Sequence, residues 1–211
     1  MLTLYYTPGT CALASHICLE EAGADYEARR VDFAKEEQRQ PAYLAVNPKG
    51  RVPALVTPSG VLTETPALLV YIAQSFPEAR LAPLDDPFAL ARVQEFNSYL
   101  CSTLHVAHAH KMRGHRWADD PDAIAEMKRK VPETVAAGFD YIERHVFGGP
   151  YVMGETYTIA DPYLFTLARW MEGDKVDPAR FPKVAAHREM MQGRPAVQAA
   201  LAEQLGTGDR G

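Results

Sequence analysis

A small mixed α/β domain followed by an all-helical domain is the architecture this sequence predicts, and three observations carry it. Short β-prone runs alternate with helical stretches only as far as Phe76, prolines cluster from Pro77 to Pro87, and beyond them apolar residues recur at three- and four-residue spacing. Thr3 to Tyr6 is β-prone and runs into the turn cluster Thr7-Pro8-Gly9-Thr10. Leu13, Ile17 and Leu19 with Ala14 and Ala22 then suit a helix ending at Gly23. Tyr26 to Val31 reads as a second strand, and the polar stretch Glu36 to Ala45 as a helix. Val52 to Val56 and Val61 to Thr63 flank Pro58-Ser59-Gly60 as the arms of a hairpin, and Pro66 to Phe76 reads as a third helix. The irregular segment from Phe76 to Pro87 connects two domains, residues 1–80 and 81–211. In the second, Phe88 to Met112 and Ala123 to Phe147 are long helical stretches. Thr158-Ile159-Ala160-Asp161 opens a further helix through Trp170, its hydroxyl and carboxylate meeting unpaired backbone donors. Arg180 to Met191 and Ala196 to Leu205 complete the bundle, and Gly206 to Gly211 is expected to fray.

Composition narrows the function. With 211 residues, 47% of them hydrophobic, the chain can bury a sizeable core, which excludes disorder. Its 22 basic against 27 acidic residues leave a formal charge of −5, without the positive field that nucleic acid or an anionic membrane requires. No apolar run approaches the roughly 20 residues that span a bilayer. Met1 to Tyr6 lacks the basic and apolar segments of a secretory signal, so a cytoplasmic protein is expected. Cys11, Cys18 and Cys101 are too few and too scattered for a disulfide framework and are expected to be free thiols.

Three places carry residues fit for chemistry. Cys11 enters the first predicted helix, where the positive end of the helix dipole can lower a thiol pKa below its free value of about 8.5. The structural alternative is a small buried apolar residue, which suits Cys18 better. In Asn47-Pro48-Lys49-Gly50-Arg51-Val52-Pro53 a loop precedes a strand, and a cis bond at Pro53 would leave the backbone of Val52 open to an extended peptide-like ligand. Glu64-Thr65 ahead of Pro66 can cap a helix, or hold a ligand ammonium and carboxylate. His105, His108, His110 and His115 raise the question of a metal, but only His105 and His108 share a helical face and no carboxylate completes it, so no metal is expected.

Tyr5-Tyr6-Thr7-Pro8-Gly9-Thr10-Cys11, Asn47 to Pro53, Thr63-Glu64-Thr65 and Thr158 to Phe165 together resemble the bacterial glutathione transferases of the beta class, over nearly the whole chain. The resemblance implies a thioredoxin-like N-terminal domain, an all-helical C-terminal domain, and a cytoplasmic, detoxifying homodimer whose cleft binds glutathione as cosubstrate. It implies that Cys11 faces the glutathione sulfur with His105 pointing back at it, and that Val52 before a cis Pro53 pairs with the cysteinyl backbone. Glu64 with Thr65 would hold the γ-glutamyl end, and Lys35 the glycyl carboxylate, with Thr10 and Arg51 also against the cosubstrate. Tyr6 and Thr10 are rival hydroxyls for activating the sulfur, and Tyr6 is equally suited to the core. Ala12 and Val106 depart from the pattern, standing where a serine and a lysine are usual, and Thr65 stands where serine or glycine is usual. Helical spacing groups Tyr163 with Trp170 and His108 with Met112, and with Pro8 these suggest an apolar site for hydrophobic electrophiles. Conjugation of glutathione is the leading expectation. Glutathione-dependent disulfide reduction by Cys11 alone, with no second cysteine nearby in sequence, is the alternative, and a non-catalytic binding protein is a third reading.

Overall fold

The computed structural model describes residues 1–206. Four strands, β1 (Leu2–Tyr6), β2 (Tyr26–Arg30), β3 (Ala54–Thr57) and β4 (Gly60–Thr63), form one sheet in the order β2-β1-β3-β4. β1 and β2 are parallel, joined through helix α1 (Ala12–Glu21), while β1 to β3 and β3 to β4 are antiparallel. This bears out the thioredoxin-like sheet with helices. β3 starts at Ala54 rather than Val52, since Pro53 has no N–H to give the ladder. The stretch Glu36–Ala45 is not one helix. A 3₁₀ turn (Glu37–Arg39) and the single-turn helix α2 (Pro41–Leu44) are separated by Gln40, held extended ahead of Pro41. Helix α3 (Thr65–Ser75) closes the layer.

After a 3₁₀ turn at Pro77–Ala79 the chain becomes helical: α4 (Pro87–Tyr99), α5 (His105–Arg113), α6 (Pro121–His145), α7 (Ala160–Ala168), α8 (Pro182–Gln192) and α9 (Pro195–Leu205). α4 and α6 begin at prolines that suit the first helical position, each behind an aspartate cap. Asp86 accepts from the N–H groups of Phe88 (2.9 Å) and Ala89 (3.0 Å), and Asp120 from that of Asp122 (2.8 Å). The expected single helix from Phe88 to Met112 is interrupted by a π turn, Leu100–Leu104, between α4 and α5. Gly206 ends α9 in the left-handed region (φ 72°), and the rest of the expected fraying end lies outside the described residues.

Helix α1 ties the layers together. Its residues Ala12 to Leu19 are all buried, because it packs on α3 below and on α7 and α9 above. One core therefore runs from Leu4, Leu55 and Ile72 through Phe96 and Leu100 to Phe139 and Tyr163.

Candidate active site

A cleft of about 410 Å³ opens between the sheet layer and the helices. Its walls are Gly9 to Cys11, the loop ahead of β3, the β4–α3 junction, the π turn with α5 and its following turn, and Tyr163 and Trp170. A larger hollow of about 960 Å³, between α4, the end of α6 and the segment from Pro77 to Asp86, contains Thr158 of the capping motif but none of the residues expected to bind or react.

Each wall has a local cause. Asn47 folds the loop ahead of β3: its side chain accepts from the Lys49 N–H (3.1 Å) and donates to the Arg51 carbonyl (2.6 Å), which Tyr43 Oη also reaches at 2.6 Å. Arg51 and Val52 are thereby presented to the cleft, and the Val52–Pro53 bond is cis. Glu64, ahead of α3, sits at φ 74°, a conformation that costs a non-glycine residue of order 1–3 kcal/mol and is concentrated at ligand sites. Its carboxylate is held by Lys49 Nζ at 2.5 Å. Across the cleft, Trp170 Nε1 donates to the Gly9 carbonyl (3.1 Å), and its ring carries His108 stacked at 4.2 Å and His105 tilted at 5.2 Å. His108 is oriented by Nδ1 contact (2.6 Å) with the buried Asp174.

The electrostatics correct one expectation. Cys11 does precede α1, but burial outweighs the helix dipole and pushes its thiol up to about 11, against weaker pulls from the adjacent Thr65 hydroxyl and the Arg113 charge. The thiol donates to the Val52 carbonyl across 3.7 Å. Burial, His108 and the guanidinium groups of Arg113, Arg116 and Arg51 together hold His105 down at about 4, so the imidazole is neutral at pH 7. A neutral imidazole of that basicity does not deprotonate such a thiol.

Of the residues expected from the sequence, Thr10, Cys11, Arg51, Val52, Pro53, Glu64, Thr65, His105, His108, Met112, Tyr163 and Trp170 all line the cleft. Three do not. The Tyr6 hydroxyl points instead to the Glu203 carbonyl (3.4 Å), the ring lying in a small core with Ala12 and Val52. Lys35 projects into solvent beside Asp32 (3.6 Å), and Gly9 rather than Pro8 reaches the cleft. Thr10 lines the cleft, but its hydroxyl donates to the Thr7 carbonyl (2.7 Å) and serves the turn. Tyr163 is both core and cleft floor, fully buried against Cys11 and Cys101. Sequence reasoning missed Phe33, Lys49, Cys101, Arg113, Arg116 and Trp117. Lys49 was legible in the loop motif, and Arg113 and Arg116 follow Met112 by one helical turn or less, whereas nothing local marks Phe33 or Cys101. The electrophile half is accordingly not simply apolar. Among the described residues no three His, Cys, Asp or Glu side chains converge as metal ligands; His110 packs edge-on to Trp117 at 4.6 Å and His108 is engaged with Asp174.

The family model described as the glutathione S-transferase N-terminal domain matches residues 1–74, and that of the C-terminal domain residues 107–204. The chain is 34% identical over 205 residues to glutathione S-transferase GstA of Escherichia coli O157:H7, covering 96% of this chain and 98% of that protein. It is 50% identical to a glutathione transferase homologue from Sulfitobacter whose crystal structure contains bound glutathione, with a TM-score of 0.93 over 98% of this chain and 99% of that one. The bacterial beta class glutathione S-transferase of Sphingomonas chungbukensis is 33% identical, with a TM-score of 0.84 over 96% and 98% of the two chains.

Proposed function

Because this chain belongs to the glutathione S-transferase family, we propose that it joins the sulfur of glutathione to the electrophilic carbon of a largely apolar second substrate in the cleft at Cys11. The observation that carries this is the convergence of Val52, Glu64, Thr65 and Cys11 on one side of a single cleft with Met112 and Trp170 on the other. Glu64 and the start of α3 hold the γ-glutamyl end, the backbone of Val52 pairs with the cysteinyl unit, and the sulfur lies beside Cys11 and His105. In the reaction the thiol gives its proton to solvent, the sulfur forms a bond to carbon, and the leaving group departs with the bonding pair. Positive charge at Arg51, Arg113 and Arg116, which opposes protonation of His105, favours the thiolate for the same reason. Neutral His105 then serves as a hydrogen-bond donor rather than a base. The division of work falls at residue 80, and the protein acts as a cytoplasmic, detoxifying homodimer. Sedimentation tests the last point, a mass near that of one chain counting against it.

The decisive measurement is an ultraviolet difference titration of bound glutathione against pH, in wild type and Cys11→Ala. A glutathione pKa lowered in both is the expected result; absence of binding or of lowering would overturn the proposal. One observation favours a second reading, disulfide reduction: a second thiol, Cys101, lines the same cleft as Cys11 despite its distance in sequence. Loss of reductase activity in Cys11→Ala with conjugation retained would assign the two chemistries to different groups.

A further inference from the structure

The charges lining the cleft do not balance. Among its described residues Glu64 is the one carboxylate, already paired with Lys49, and against it stand Arg51, Arg113 and Arg116. Elsewhere, seven of the eleven other described arginines, Arg29, Arg39, Arg92, Arg129, Arg144, Arg188 and Arg194, meet a carboxylate. Arg113 ends α5, where a cation suits the helix dipole, but Arg116 lies beyond the helix and Arg51 comes from the opposite layer, so helix capping does not explain the group. Partial burial, with weaker repulsion from Arg113 and Arg51, pushes Arg116 down to about 10, so the three guanidinium groups feel one another across the cleft. Glutathione does not cancel them. Four cations against one carboxylate leave three positive charges, and glutathione with an ionised sulfur brings a net two negative ones. Arg113 and Arg116 come from the end of α5 and the turn after it, flanked in sequence by Met112 and Trp117 on the helical wall of the cleft.

We propose that Arg113 and Arg116, backed by Arg51, form an anion subsite in the electrophile half of the cleft, so that the second substrate is an apolar, aromatic electrophile bearing a carboxylate. A guanidinium meets a carboxylate through paired N–H donors, and the exposed ring of Trp117 beside them takes the aromatic ring. The inference rests on the transferase reading for its chemistry, but the subsite can be tested without turnover.

Trp117 and Trp170 are the chain's two tryptophans and both line the cleft, so intrinsic fluorescence reports on it directly. The probes are 3-nitrobenzoate, which has no leaving group, and its neutral methyl ester, titrated with and without saturating S-methylglutathione. In wild type the carboxylate binds at least about tenfold more tightly than the ester, consistent with a charge-assisted hydrogen-bonded pair. The double variant Arg113→Gln/Arg116→Gln loses that preference, Arg113→Lys/Arg116→Lys keeps part of it, and S-methylglutathione leaves it in place. Equal affinities in wild type, or a preference that survives in the glutamine variant, would overturn the proposal. So would displacement of the carboxylate by S-methylglutathione, since the arginines would then hold the glycyl end of glutathione. Binding of S-methylglutathione to the glutamine variant verifies that it is folded. Conjugation of 4-chloro-3-nitrobenzoate is assayed separately: tight, arginine-dependent binding without turnover would refute the transferase reading and leave the anion subsite standing.

Discussion

Cys11 caps α1 with its thiol packed against the Val52 carbonyl and the Thr65 hydroxyl, and this packing sets its reactivity. A thiol held at about 11 rather than 9 has about a hundredth of the thiolate at neutral pH. Iodoacetamide at pH 7.5, followed by mass spectrometry, is therefore expected to alkylate Cys11 about 100-fold more slowly than a free cysteine; a rate like that of free cysteine would contradict the buried thiol. His105 has the opposite displacement, down to about 4 from 6.5. Its neutral form is the one the fold favours, so its contribution is complete above pH 6.5 and is lost as pH falls toward 4, while the unfolded chain takes up the proton. That loss is about 3 kcal/mol, and His105→Gln should flatten the fall in Tm over this window. An unchanged slope in the variant would show that other groups cause it. These directions were not legible in the sequence. The helix-start position of Cys11 is a local property and could be read; its burial beneath Val52 depends on a chain segment far away in sequence, and desolvation decides the sign.

The start of α7 shows how one buried carboxylate organises an element. Asp161 accepts from the backbone N–H of Val152 (2.9 Å) and of Thr158 (2.7 Å), and meets His187 Nε2 at 3.0 Å. Asp161→Ala strips all three of a partner inside the core and is expected to cost about 3–5 kcal/mol, measured by urea unfolding. Asp161→Asn, which retains an acceptor, should cost less; equal losses would place the effect in charge alone. The Thr158-to-Asp161 motif was legible because capping is written within four residues. Helix starts at Pro87 and Pro121 were read late because a proline looks like a break when its aspartate cap is overlooked. The π turn left no mark on the apolar pattern, since Leu100 and Leu104 keep ordinary helical spacing. In the cleft the same division holds. Val52, Glu64 and Thr65 belong to short motifs, while Phe33, Cys101 and Arg116 gain meaning only from what the other elements bring opposite them.

A single core joins both layers, so they are expected to unfold together. Cys18 sits inside the sheet layer's helix and Trp170 at the helical side of the cleft. Urea-dependent labelling of Cys18 and fluorescence of the tryptophans should share one midpoint, whereas separate midpoints would mean two independently stable domains. The same feature bears on how the chain is made. α1 is buried on every side from Ala12 to Leu19 because α9 covers it as well as α3 and α7, and some of the contacts that seat it come from the last residues described: Arg194 binds Glu21 at 2.7 and 2.9 Å, and Gln204 meets His16 at 3.3 Å. During synthesis the first helix thus emerges long before its cover is complete, and Leu13 and Ile17, which pack with Phe165 and Met191 as well as Val197 and Ala200, lack the last two of these neighbours until α9 has been made. A nascent chain halted before α9 would hold a sheet layer that is fully synthesised and not yet closed.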